Sequence, residues 1–277
     1  MSVPHFYKNR NSRFISLEGE DSSEFLQNLI TNDINKSRNN NILYSCLLTP
    51  QGKFISDFFI FRLNEKFILE THSFFYEKLL QKLKLYKLRS KILINEIDYM
   101  HSYSIFGDLQ KHEGVLFLFS DPRNKNIGNK LIHKSQNPEI LNDFIEIDEN
   151  KYHEILIKNT VPLSHFDLEE NKSLLLENNF DNLNSISWDK GCYVGQELTA
   201  RMKYRALLKK RIYSLTLKKG SPKSKQPIKE NGNEIGKIIS VKNKSLLAML
   251  KIEVAEKKIQ SSETIKTIDG LILDFVI

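Results

Sequence analysis

The chain has 277 residues, 40% of them hydrophobic and 27% charged, with a net charge of +7. That length admits two or three compact units, and the composition excludes a disordered, fibrous or disulfide-scaffold protein. The basic balance suits nucleic acid, an acidic membrane or a polyanionic small molecule, or is no more than a lysine-rich solvated surface.

In chain order, Arg13–Glu18 alternates weakly and predicts a strand that Gly19 ends. Asp21 with Glu24 three residues on reads as a capping box. Phe25, Leu26, Leu29 and Ile30 give the following helix its buried face. Leu43–Leu48 and Lys53–Leu63 predict two strands joined by the turn Thr49–Pro50–Gln51–Gly52, where proline fixes φ early and glycine relieves strain late. Phe67–Glu70 adds a short strand, and Ser73–Tyr86 predicts an amphipathic helix with Phe75, Leu79, Leu80 and Leu83 inward.

Lys91–Ile97, Tyr103–Phe106, Val115–Phe119 and Lys130–His133 predict further strands, and Asp148 caps a helix carrying Tyr152, Ile155 and Leu156. Strands and helices mix without a regular βαβ repeat, which predicts an α+β, mostly antiparallel fold. From Lys210 the character changes to short strands at Arg211–Leu217, Glu234–Val241, Ser245–Lys251 and Leu271–Ile277, with no helix. This reads as a small all-β terminal domain beginning near Arg205–Lys210.

Cys46 and Cys192 are far apart and form no CxxC, so a reducing compartment is expected. Met1–His5 shows no signal core, and apolar runs such as Val115–Phe119 fall far short of the roughly 20 residues that span a bilayer. The expectation is a soluble, cytoplasmic protein without a membrane segment. The histidines His5, His72, His101, His112, His133, His153 and His165 form no tight ligand pair, so no metal site is expected. Walker, dinucleotide-binding and nucleophile-elbow motifs are absent.

The unusual segment is Lys190–Gly191–Cys192–Tyr193–Val194–Gly195–Gln196–Glu197, two residues after the only tryptophan, Trp188. Glycines four apart let the backbone bend and approach a neighbour closely. The Cys between them is either a thiol favoured as thiolate by Lys190 or an inert residue in a tight turn. Cys46, among apolar neighbours, reads as a small core residue. Downstream, Leu198–Lys229 contains no acid but eleven cations: Arg201, Lys203, Arg205, Lys209, Lys210, Arg211, Lys218, Lys219, Lys223, Lys225 and Lys229. They could face RNA phosphates, or the carboxylates of an acidic ligand, or solvent. Tyr193 and Tyr204 could stack on a planar ring.

Lys190–Glu197, with the continuation Leu198–Thr199–Ala200–Arg201, resembles the K-G-C-[FYW]-x-G-Q-E signature of the YgfZ family. Leu176–Asn178, Leu183–Ser187, Gly19–Asp21, Leu48–Lys53, Leu88–Lys91 and Gly232–Gly236 are similar to other elements of that family. The resemblance implies the fold of the glycine-cleavage T-protein. Residues 1–205 would form two interlocked α+β units around a folate cavity, the second at roughly 96–165, and residues 206–277 a C-terminal β-barrel. It implies a tetrahydrofolate-binding accessory protein that supports iron–sulfur cluster assembly or repair and, through iron–sulfur enzymes, tRNA modification. Its partners would be folate, iron–sulfur proteins or their assembly machinery, and weakly RNA.

Under this resemblance Cys192 is the functional thiol and Glu177 matches the glutamate that holds the pteridine. Trp188, Lys190, Tyr193 and Arg201 complete the expected folate-binding set. T-proteins carry an acidic pair on the hairpin's return strand, where this chain has Ser56 and Asp57. That departure speaks against aminomethyl transfer, which is the alternative function.

Overall fold

The structure is a computed structural model and describes residues 3–37, 41–109 and 113–276. Met1, Ser2, His112 and Ile277 lie outside the described residues. The strands and helices are β1 (His5–Lys8), β2 (Ser12–Glu18), α1 (Ser22–Leu29), β3 (Leu43–Leu48), β4 (Phe54–Leu63), β5 (Lys66–His72), α2 (Ser73–Lys87) and β6 (Leu93–Ile97). They continue with β7 (His101–Phe106), β8 (Val115–Ser120), β9 (Asn129–His133), β10 (Ile145–Glu146), α3 (Glu149–Lys158), α4 (Ser164–Asp167) and α5 (Gln196–Tyr204). The last part holds β11 (Lys210–Lys219), β12 (Pro227–Glu230), β13 (Asn233–Lys242), β14 (Ser245–Lys251), α6 (Ile252–Gln260), β15 (Ile265–Lys266) and β16 (Ile272–Phe275).

Three sheets result, ordered β3-β4-β5-β2-β6, β10-β1-β7-β9-β8 and β12-β13-β14-β11-β16-β15. Strand alternation divides the side chains of the first sheet between two cores. Ile15, Leu17, Ile60 and Leu69 face α1 and α2, meeting Leu26, Leu29, Leu79 and Leu83. Phe14, Phe61 and Ile68 face the second sheet, meeting Phe117 and Ile132. The first strand of the chain crosses over: β1 pairs antiparallel with β7 and parallel with β10. The N-terminus thus belongs to the second sheet and interlocks the two units.

The α+β expectation holds, with this one parallel pair as its exception. The hairpin β3–β4 lies as expected, with Cys46 opposite Asp57 and Leu47 opposite Ser56. Asp148 caps α3, its Oδ1 accepting from the Lys151 N–H at 2.7 Å. Asp21 does not cap α1. Its carboxylate accepts from the Lys91 N–H at 2.6 Å instead, tying α1 to the chain before β6.

The terminal domain contains a helix where none was expected. In α6 the buried positions are Ala255 and the stem of Lys258, a residue whose charge hides it from any hydrophobic pattern. The six-stranded sheet curls into a nearly closed barrel. At its seam the Glu230 Oε1 of β12 accepts from the Lys266 N–H of β15 at 3.1 Å, and Oε2 pairs with Lys258 at 2.9 Å.

Candidate functional site

Lys190 extends back to α1 rather than toward the thiol. Its ammonium donates to the carbonyls of Gln27 (2.6 Å), Ile30 (2.7 Å) and Asn32 (2.8 Å), the unpaired oxygens where α1 ends. Burial lowers its pKa to about 8, opposed by Asp33. The Val194 N–H adds a bond to the Asn28 carbonyl at 3.2 Å. The loop before α5 is therefore riveted to the end of α1.

A second attachment uses glycine. Gly195 has φ +81°, and a Cβ there would stand 2.4 Å from the Thr49 carbonyl. Gly52, at φ +75°, would place a Cβ 2.9 Å from the Gly195 carbonyl. The turn of the β3–β4 hairpin and the Cys loop pack backbone to backbone, and only glycine fits at either side. Gly191 has no such constraint, since nothing lies within 4 Å of its missing Cβ.

Between these attachments Cys192 is exposed rather than packed in a core. Tyr193 is buried, as is Cys46, whose thiol burial pushes well above its ordinary pKa. Trp188 lies beneath the Lys203 ammonium, 3.8 Å from the ring centroid, and edge-on to the exposed Tyr204. Arg201 pairs with Glu197 at 2.5 Å on the surface. Glu177 pairs with Lys210 at 3.4 Å.

Several cations of the acid-free stretch meet acids from elsewhere in the chain. Arg211 bonds Asp181 at 2.7 Å and Lys218 bonds Asp274 at 3.1 Å, in addition to the Arg201 and Lys210 pairs. The segregation seen in sequence is partly neutralised in space.

The cavity at the centre of the molecule is built by other residues. It has a volume of ≈ 90 Å³ and opens between the two five-stranded sheets and α3–α4, with walls that include Tyr7, Tyr44, Phe59, Phe75 and Tyr152. Glu177, Trp188, Lys190, Cys192, Tyr193 and Arg201 are not among its lining residues. Its polar groups include Asp57 of β4, Glu70 of β5, Lys130 of β9 and Ser164 of α4. Asp57 accepts from the Tyr44 hydroxyl at 2.5 Å and from the Ser164 hydroxyl at 2.7 Å. Ser56, one residue earlier, turns to the opposite face and is fully buried there. Ser56 is not among the residues that line this cavity, so the missing acid at 56 removes nothing from its wall.

Deeper in, Glu70 and Lys130 form a fully buried pair at 2.9 Å, with Ser12 donating to the same Glu70 oxygen. The other Glu70 oxygen, Oε2, is buried without a partner. Arg123 forks onto Asp121 through Nε (3.0 Å) and Nη2 (2.8 Å), and its guanidinium faces Phe59 at 5.0 Å. Tyr7 stacks on Tyr152 at 4.2 Å, and His72 stacks on His165 at 3.7 Å. Burial lowers His165 to about pKa 4, with His72 adding to the effect, and burial also lowers His72. Among the described residues no three His, Cys, Asp or Glu side chains converge as a metal site.

Comparison with known proteins places this geometry. Residues 10–106 match the GCVT N-terminal domain, and residues 209–270 match the CAF17 C-terminal beta-barrel domain. The two matches lie in tandem, a GCVT-like part followed by a CAF17-like barrel. Its fold is similar to that of the glycine cleavage system aminomethyltransferase T of Bartonella henselae, with a TM-score of 0.75 over 99% of this chain and 85% of that one, at 11% identity. That likeness shows the aminomethyltransferase fold and nothing of activity.

Curated relatives include the iron-sulfur cluster assembly factor IBA57 homolog, mitochondrial, of Neurospora crassa, 32% identical over 72% of this chain and 51% of that protein. Iron-sulfur cluster assembly factor IBA57, mitochondrial, of mouse is 26% identical over 82% of this chain and 68% of its own. The human counterpart is 27% identical over 72% and 62%. The chain thus spans between about half and two thirds of the length of these relatives. They bear the IBA57 name, a sibling of the YgfZ type suggested by the motif. All three are named mitochondrial, which overturns the cytoplasmic expectation.

Proposed function

We propose that this chain is an accessory factor of iron–sulfur cluster assembly in the manner of the IBA57 proteins, acting through the Cys192 thiol. The observation that carries this reading is the setting of Cys192. The thiol is exposed on a loop held from one side by Lys190 on the carbonyls at and just past the end of α1 and from the other by the Gly52–Gly195 contact. A presented thiol on a fixed backbone can ligate iron of a cluster in transit without rearrangement of the fold. The names of the curated relatives support the process and its machinery as partner.

Tetrahydrofolate is part of the same proposal, and its place is the central cavity. The narrow space between Tyr7, Tyr44, Phe59 and Tyr152 suits a planar ring, and the unpartnered Glu70 Oε2 and the Asp57 carboxylate are acceptors for its amino and N–H edge. Glu177, the carboxylate first expected to hold the pteridine, is engaged by Lys210. Bound there, folate would supply a one-carbon carrier. Asp57 would hold the ring edge with its second acceptor capacity beyond Tyr44 and Ser164. An effect on tRNA modification would follow indirectly, through iron–sulfur enzymes.

A second reading, folate-dependent aminomethyl transfer, is favoured by one observation: Asp57 faces the cavity and is oriented by two hydroxyls, as a general base requires. One experiment addresses all parts. In cells lacking the chain, Cys192→Ala is expected to fail to restore an iron–sulfur enzyme while Asp57→Asn abolishes tetrahydrofolate binding by the purified protein. Full rescue by Cys192→Ala would overturn the thiol claim, and no folate binding by the parent would overturn the cofactor claim. Aminomethyl turnover lost in Asp57→Asn would establish the second reading.

A further inference from the structure

The segment Lys78–Asn95 contains six cations and no acid, a second such stretch besides the one after Leu198. It covers the end of α2 and the start of β6. Here, too, most of the cations lack an acid partner among the described residues. Lys78 pairs with Glu170 and Lys91 with Glu20, but among the described residues Lys82, Lys84, Lys87 and Arg89 make no ion pair. Three leucines stand among them in solvent: Leu85 is 62% exposed, Leu88 84% and Leu93 60%.

The arrangement follows from the helix. Phe75, Leu79, Leu80 and Leu83 fill the inward face of α2, so Leu85 falls on the outward one. The helix then stops at Leu88, whose φ of +44° is a conformation that residues with a side chain rarely adopt. That turn leaves the leucine side chain outside. A glycine there would end the helix more easily and expose nothing.

We propose that this end of the molecule docks on an anionic phospholipid surface, with Leu85, Leu88 and Leu93 entering the headgroup boundary and Lys82, Lys84, Lys87 and Arg89 facing the lipid phosphates. Exposed leucines ringed by unpaired cations are the chemistry of an interfacial contact, in which apolar burial and attraction to anionic lipid act together. An RNA site would need planar side chains on which bases stack, and Tyr86, the aromatic residue of this stretch, is half-buried. Across an open crevice from Leu88, Arg89 and Ser90 lie Asp21 and Glu24, and Asp21 is held by the Lys91 N–H. No helix of the described residues is long and apolar enough to cross a membrane, so the contact is peripheral. It stands on residues separate from the Cys192 loop and the cavity.

The test is co-sedimentation of the whole chain with vesicles of phosphatidylserine and phosphatidylcholine, against vesicles of phosphatidylcholine alone. The parent is expected to pellet with the anionic vesicles, to stay in solution with the neutral ones, and to be released by high salt. Lys84→Ala with Lys87→Ala should weaken binding roughly thirtyfold, and Leu85→Ser with Leu88→Ser roughly tenfold. Both pairs are on the surface, so melting temperatures should match the parent; should Leu88→Ser alter folding, Leu85→Ser alone on the regular helix face carries the test. No pelleting, or equal pelleting with both lipids, overturns the proposal. So does retention of tRNA that depends on the same lysines without any vesicle binding.

Discussion

The Cys192 loop and the central cavity are built by opposite means. The loop is eight consecutive residues attached through backbone: three carbonyls around Lys190 and two glycines in contact. The cavity is assembled from side chains between Tyr7 and His165, joined by buried ion pairs and stacked rings. A site made of backbone must use particular residues at fixed spacing and so leaves a motif. A site made of side chains from many strands leaves only scattered polar residues in apolar runs. The difference also predicts which perturbations each tolerates.

The largest effect is expected in the cavity. Lys130→Ala leaves the Glu70 carboxylate buried and unpaired, which should destabilise the protein by about 3–5 kcal/mol, read from urea unfolding. A loss below about 1 kcal/mol would mean that water reaches Glu70, and the cavity would then resemble the loop more than its burial suggests.

Acid comes next. Unfolded histidine titrates near pKa 6.5, while folded His165 is held at about 4 by burial and by His72. Between these values the unfolded state takes up a proton that the native state refuses. Stability is therefore complete above about pH 6.5 and is lost as pH falls toward about 4, by about 3 kcal/mol from His165. The lowered His72 acts in the same direction. Unfolding midpoints at neutral pH and at about pH 4.5 measure this, and His165→Gln should remove most of the difference.

The smallest effects separate the two glycines of the loop. Gly195→Ala should cost more than about 1 kcal/mol, because φ is positive and the Thr49 carbonyl occupies the place of the methyl group. Gly191→Ala should stay within about 0.5 kcal/mol. Thermal melts of the two variants side by side decide it, and equal losses would show that the hairpin turn yields to the loop.

How much of this was legible follows the same division. The hairpin and α2 were readable because their patterns are local: alternating apolar residues around a Pro–Gly turn, and a 3.6-residue period from Phe75 to Leu83. The Lys190–Glu197 motif marked the loop, but not the destination of Lys190, since helix-end carbonyls carry no side-chain signature. Glu70 and Lys130 leave no pattern because each is a lone charge whose partner lies on a distant strand. Ser56 and Asp57 were weighed as a pair, although strand geometry sends them to opposite faces. Helix α6 was missed because Lys258 serves as one of its buried residues.

Glu230 has a consequence for the barrel as a whole. Every other neighbouring pair of strands around the wall is joined by a backbone ladder, whereas among the described residues β12 and β15 are joined by the Glu230 carboxylate. At this seam a side chain takes the place of a strand register. Parting the wall along that line would break the Glu230 contacts to Lys266 and Lys258 but none of the strand ladders on either side.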